Sequence, residues 1–275
     1  MRYWPFHYAM KCKRNSNAGL PFLYDNLGDD LLIVVIAFAV SSDAPLLLAL
    51  AVGLLHISFW IIYEVGYFEN DVVSERHESD GKTPPNFSRF KLVFSEKAAW
   101  CWASFFGVAG VSTAMIVADS YFLQSGAVGL FVALVLWGCL LAMTRAVFSA
   151  YNHVDKMSRI YLYLPMQFLK YAFPAIFFPL SPGGAALIFA QMVRRWLPYT
   201  IYRYSRKLPG QLPARLLRLI VFVSLWLLLL PSNFEKEHIL FGAVAITFLT
   251  LRSMTQFRQL LRNSRNVRQD NWQSE

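Results

Sequence analysis

The run from Tyr63 to Glu78 carries Asn70, Asp71, Ser74 and Glu78, four oxygen-bearing side chains, directly after an apolar stretch. On a continuous helix, residues 70, 74 and 78 fall at i, i+4 and i+8 and form one stripe, with Asp71 and Glu75 beside it. Carboxylate, amide and hydroxyl oxygens gathered this way suit Mg²⁺, which takes a couple of protein oxygens and completes its shell with substrate phosphate and water. A solvated helix end has the same composition, and the residues alone leave both readings open. Asp25, Asp29 and Asp30 form a second acidic group with DxxxD spacing. They offer either further metal ligands or negative charges that complement the positive N-terminus of the helix that follows. No Ser-His-Asp or Cys-His arrangement points to a covalent nucleophile, and His56, inside an apolar run, reads as a packed, hydrogen-bonded residue rather than a base.

The elements that must position these residues are membrane helices. Of 275 residues, 56% are hydrophobic and only 16% charged, too apolar for an ordinary soluble fold. Apolar runs bounded by polar residues, Pro or Gly predict eight helices, at 27–41, 45–67, 98–118, 127–149, 160–180, 183–202, 216–230 and 239–251. The first and last are short for a hydrocarbon core. Lysines and arginines collect in alternate segments, around 2–14, 76–97, 156–159, 203–218 and 252–268, whereas the intervening connections hold only Lys236. By the positive-inside rule both termini are cytoplasmic. The expected fold is therefore all-α: a polytopic bundle of about eight transmembrane helices in one domain, 1–275, with basic cytoplasmic tails at 1–20 and 253–275. The second tail fits an interfacial helix or a disordered segment equally. Residues 1–17, basic and aromatic, do not resemble a cleaved signal. The net charge of +9 is then a matter of topology, and no nucleic-acid partner is expected. Cys12, Cys101 and Cys139 have no metal or disulfide spacing and are read as packing residues.

Asn70-Asp71-x-x-Ser74-x-x-x-Glu78 resembles the first Asp-rich motif, NDxxDxxxD, of the UbiA superfamily of intramembrane prenyltransferases, with its last two Asp replaced. The position agrees, because that motif closes the second transmembrane helix on the cytoplasmic side. After the fourth helix, Tyr151-Asn152-His153-Val154-Asp155-Lys156-Met157-Ser158-Arg159 resembles the family's Tyr-then-Lys-Arg segment. The resemblance implies Mg²⁺ held by Asn70, Asp71, Ser74 and Glu78 against the diphosphate of an isoprenoid donor, Lys156 and Arg159 on its phosphates, and Tyr151 near the reacting carbon or the leaving oxygen. It also implies a prenyl acceptor of unknown identity, a membrane-lipid environment and an active site facing the cytoplasm. The loop at 79–87, rich in turn formers, is either a lid over that site or a plain connector.

The second DxxxD motif of the superfamily has no counterpart here. At the end of the sixth helix Arg195, Tyr199 and Arg203 form the i, i+4, i+8 stripe instead. Either Arg195 and Arg203 bind phosphate oxygens directly, with Tyr199 near the reacting carbon or the leaving oxygen, or these arginines pair internally with Glu64, Asp71 or Glu78. Arg145, Lys170, Arg194 and Arg195 lie within apolar runs, where each must face a cavity or snorkel. NDxxSxxxE is also the metal-binding pattern of class I terpene cyclases, which have UbiA-like relatives. Three functions follow as expectations: prenyl transfer to an acceptor, cyclisation of a linear prenyl diphosphate, or non-catalytic binding of a polyprenyl lipid.

Overall fold

The computed structural model describes residues 4–13, 24–40, 42–77, 83–117, 126–205, 212–230 and 236–263. Among these the secondary structure is entirely helical. A π-helical turn, Asn26–Leu31, leads into α1 (Leu32–Ala39); α2 spans Pro45–His77, α3 Phe87–Lys91, α4 Glu96–Val117 and α5 Gly126–His153. Then follow α6 (Arg159–Ala172) with a 3₁₀ turn at Phe173–Ile176, α7 (Pro182–Ser205), α8 (Ala214–Leu229) and α9 (Lys236–Asn263).

The eight expected segments correspond to α1, α2 and α4 to α9. Four of these, α2, α4, α5 and α9, are long and apolar enough to cross a membrane. Their outward faces fit that environment: Phe105 and Ile116 on α4, and Val128 and Phe131 on α5, are large apolar residues left exposed, as lipid-facing positions are and the surface of a water-soluble domain is not. Cys101 and Cys139 lie on the same outward faces, so only Cys12 is a packing residue.

α2 is the spine. Its 33 residues extend about 50 Å at about 1.5 Å per residue, against roughly 30 Å for a hydrocarbon core. The helix therefore continues well past the apolar run and carries Asn70, Asp71 and Ser74 on its last turns. It packs most extensively on α4 and also on α5 and α1, while α7 joins α6, α8 and α1, and α8 packs on α9. Two glycines permit this closeness. A Cβ at Gly110 on α4 would meet Leu55 of α2 at 2.8 Å, and one at Gly66 on α2 would meet the Phe148 ring of α5 at 2.3 Å.

The N-terminal segment is packed against the spine. Phe6 stacks on Trp60, Trp4 lies against Trp102 of α4, and Tyr8, Ala9 and Cys12 are buried. The backbone N–H of Ala9 donates to the fully buried Glu64 carboxylate at 2.7 Å, which satisfies an acid that would otherwise be costly inside a bundle. At the other end, α9 continues as helix through Asn263, so its last basic turns belong to the bundle's final helix.

Candidate functional site

Three groups of side chains, one at the end of α2, one aromatic and one ionic, stand out. The first is the end of α2. Asp71 is buried and accepts a hydrogen bond from the Tyr8 hydroxyl on Oδ2 and a longer one from the Asn70 amide on Oδ1, at 3.4 Å. Burial, then the adjacent Asp71 carboxylate, push the Tyr8 phenol well above its usual range, so it remains a proton donor to Asp71. Ser74 is also buried; Glu78 lies outside the described residues. Both Asp71 oxygens are thus engaged by protein donors, and the described residues hold no group of three His, Cys, Asp or Glu placed for a metal. One carboxylate, an amide and a hydroxyl are donors that fit a single Mg²⁺ held largely by substrate phosphate, with Tyr8 yielding its place; they do not fit a two-metal cluster.

The opposite side of the same helix end is tied to α5. Glu69 accepts from Arg145 at 2.8 Å, Ser149 at 3.0 Å and Asn152 at 2.8 Å, and Asn152 also donates to the Gly66 carbonyl at 3.0 Å. Arg145 also donates to Glu96 at 3.2 Å. Arg145 is therefore an inter-helix tie, joining α5 to α2 and α4. Beyond Asn152, the α5–α6 connection and the end of α2 enclose a cleft of about 430 Å³ lined by Val73, His77, Asn152, Asp155, Lys156 and Arg159. Lys156 and Arg159 thus share this cleft with Val73 and His77 at the end of α2. Arg159 donates to the Asn152 and Val154 carbonyls at the C-terminus of α5 and lies over the Tyr151 ring at 5.5 Å, satisfying carbonyls that the helix end leaves unpaired. Hydrogen bonds from Ser158, then Met157, hold the exposed Asp155 carboxyl below its usual range as it orders the turn that leads into α6.

The second group is aromatic. Tyr63 and Tyr67 of α2 meet Phe148 of α5 edge-on. Phe148 meets Tyr151, and Tyr151 meets Tyr163 of α6 and Tyr199 of α7, the last two stacked with centroids 4.3 Å apart. By helical spacing Tyr63, Tyr67, Asn70 and Ser74 share a face of α2, so these rings continue the stripe inward. The Tyr151 and Tyr199 hydroxyls are 2.8 Å apart, and Arg203 donates its Nε–H to the Tyr199 oxygen at 2.8 Å. Whichever phenol donates to the other, one phenolic proton remains to be directed elsewhere.

The third group is ionic and centres on the π-helical turn. Asp30 accepts from Lys170 at 2.7 Å, Tyr171 at 2.7 Å and Arg195 at 2.6 Å. Asp29 accepts from Arg194, Arg215, Arg218 and Arg252 at 2.9 to 3.2 Å. Lys170 also lies over the Trp60 ring at 4.6 Å and the Tyr63 ring at 5.6 Å, which joins this group to the aromatic one. The carboxylate facing Arg195 is therefore Asp30, not Glu64 or Asp71, both of which face the N-terminal segment. Nor do Asp29 and Asp30 serve as spare metal ligands, because the surrounding cations repel a divalent ion. The sequence reading left Arg215, Arg218 and Arg252 among the loop charges. The one signal was Arg218, three residues inside an apolar run and fully buried in the structure.

Comparison with models of protein families, with curated proteins and with solved structures found no match.

Proposed function

We propose that the chain is an intramembrane enzyme that binds an isoprenoid diphosphate, ionises it and transfers the prenyl group to an acceptor. The observation that carries this reading is the aromatic cluster flanked by cations: six rings from α2, α5, α6 and α7, with the Arg203 and Arg195 guanidiniums and the Lys170 ammonium at its edges. An allylic diphosphate needs such a pair of surroundings. Ionisation breaks the C1–O bond, the electron pair leaves with diphosphate, and π-faces stabilise the carbocation while cations stabilise the leaving group. The prenyl chain would lie among Tyr63, Tyr67, Phe148 and Tyr163. The remaining phenolic proton of the Tyr151–Tyr199 pair, polarised by Arg203, would donate to the departing oxygen. Lys156 and Arg159, at the cleft beside α2, would hold the outer phosphate. Mg²⁺, when bound by Asn70, Asp71, Ser74 and Glu78, would supply further charge neutralisation on the diphosphate. Exclusion of water by the ring cage preserves the cation until the acceptor's nucleophile attacks it and gives up its proton.

The matching order of helices and the one-sided distribution of basic residues support eight crossings with both termini cytoplasmic and the site on that side. The engagement of Asp71 by Tyr8 favours a second reading, a non-catalytic protein that binds polyprenyl phosphate in the same enclosure.

Purified protein incubated with geranyl, farnesyl and geranylgeranyl diphosphates, with and without Mg²⁺, separates these readings. Release of diphosphate, reduced about 100-fold by Tyr199→Phe, supports ionisation. A cyclic product formed without any acceptor would replace transfer by cyclisation. Saturable binding with no turnover, in the presence of candidate acceptors, would leave the binding reading.

A further inference from the structure

The Asp29 side of the ionic group carries more positive charge than its carboxylates neutralise. Arg194, Arg215, Arg218 and Arg252 all pair with Asp29, and Asp25 adds one further carboxylate, on Arg215 at 3.0 Å. Among the described residues, four guanidiniums thus face two carboxylates. Arginine does not escape this by losing its proton, since its charge persists in proteins. Arg194 and Arg218 are 9% and 0% exposed. Among the described residues, Arg194 Nε and Nη1 and Arg218 Nε have no hydrogen-bond partner. Buried charged donors left in this state are costly, and more so in a membrane interior.

The group is also built to hold its shape. Gln191 accepts from Arg218 Nη1 at 2.7 Å and gives its own amide N–H to the Asp29 backbone carbonyl. Arg252 stacks over the Tyr24 ring at 4.0 Å and lies against Gly28, where a Cβ would come within 2.9 Å of its guanidinium. Arg215, with 21% of its side chain exposed, and Asp25, with 36%, stand at the outer edge.

We propose that this lobe is a binding site for a phosphate-bearing anion, with the unpartnered N–H groups of Arg194 and Arg218 donating to its oxygens and Arg215 at its mouth. Guanidinium forks match phosphate oxygens, and a phosphate dianion would balance both uncompensated charges, a phosphodiester monoanion one of them. The same chemistry is offered by soluble phosphate and by the headgroup of an anionic phospholipid. The inference stands apart from prenyl transfer, because the lobe is formed by the π-helical turn with α7, α8 and α9, whereas Asp30 faces α6 and α7 and the aromatic rings.

The test is the thermal unfolding midpoint of the delipidated, full-length protein. It is titrated with inorganic phosphate against sodium chloride of equal ionic strength, and compared in phosphatidylcholine vesicles with and without phosphatidylglycerol. A saturable rise with phosphate identifies a soluble ligand, and a rise confined to phosphatidylglycerol identifies a headgroup; either supports the lobe. Arg194→Gln should weaken the response at least tenfold, Arg203→Gln at the aromatic enclosure should leave it in place, and Asp25→Asn should tighten it severalfold. No rise in either arm overturns the proposal, as does a rise lost in Arg203→Gln but kept in Arg194→Gln. If Arg194→Gln does not fold, Asp25→Asn decides, and an unchanged or weaker response overturns it.

Discussion

The two acidic groups of this chain have opposite surroundings. Asp71, at the end of α2, is buried beside a phenol and an amide, whereas Asp29 and Asp30, on the π-helical turn, are buried among one lysine and five arginines. The hydrogen bonds described at Asp71 come from neutral donors, a phenol and an amide, which do not offset a carboxylate's charge as guanidiniums do. The cations around Asp29 and Asp30 more than cancel theirs, so that region attracts anions. Identical side chains thus acquire opposite preferences from what the fold packs against them.

The sharpest way to break this contrast is Asp29→Ala. It leaves four guanidiniums without their common partner, and removal of one side of a buried ion pair costs about 3–5 kcal/mol. The variant should fail to accumulate as a monodisperse protein on size-exclusion chromatography, or should do so only with added phosphate. Near-normal stability would mean that the cluster is solvated rather than buried.

Tyr8→Phe probes the other region. It removes one donor from a buried carboxylate, a loss of about 1–3 kcal/mol, read as a lower midpoint in thermal unfolding. It also sharpens the metal question, because an Asp71 freed from Tyr8 should show a larger stabilisation by Mg²⁺ than wild type. The pH dependence has a definite sign. The folded-state pKa of Tyr8 is raised above the usual phenol value of 10.0, so its contribution is fully present below about pH 10 and is lost as the unfolded chain ionises above it. The difference between wild type and Tyr8→Phe should therefore shrink above pH 10, and a difference that grows there would contradict the assigned hydrogen bond.

Gly66→Ala tests whether the α2–α5 contact sets the aromatic enclosure. The added Cβ must displace the Phe148 ring, at about 1–3 kcal/mol for an overpacked site, and should alter Tyr fluorescence along with stability. The smallest effect is expected at Lys91 and Glu75, an ion pair between α3 and α2 in which each side chain is more than one-third exposed. Lys91→Ala should change stability by less than about 1 kcal/mol, as measured in the same unfolding assay.

Much of the helical layout was legible in the sequence. The apolar run beginning at Pro45 and the polar stripe following it were read as one continuing helix, and α2 runs without interruption to His77. The eight apolar segments begin and end within a few residues of observed helices in most cases, because Pro, Gly and charged residues mark where a helix must stop or leave an apolar medium. The last helix was the main exception: its apolar run ends near residue 251, but α9 extends through Asn263, since basic residues with good helix propensity continue a helix that has already nucleated. The Tyr151 to Arg159 segment, read from the sequence as following the fourth helix, lies at the α5–α6 connection, where Lys156 and Arg159 line a cleft with Val73 and His77 of α2. The partners of Arg195 were not legible, because the candidates considered were the acids nearest the expected motif rather than those on the first helix.

The amino-acid sequence by itself determined the helical class, the positions of the apolar segments and the distribution of basic residues between them, since hydropathy and helix-stop signals are local properties. It also determined that Asp71 would stand on a helix face with Asn70 and Ser74. Only the tertiary structure decided which carboxylate each cation meets. Arg252 reaches Asp29 across 223 residues of chain, and Tyr8 reaches Asp71 across 63. Such pairings have no periodicity to betray them. They depend on which helices pack together, and inside a bundle from which water is excluded every buried charge must find its partner wherever the packing provides one.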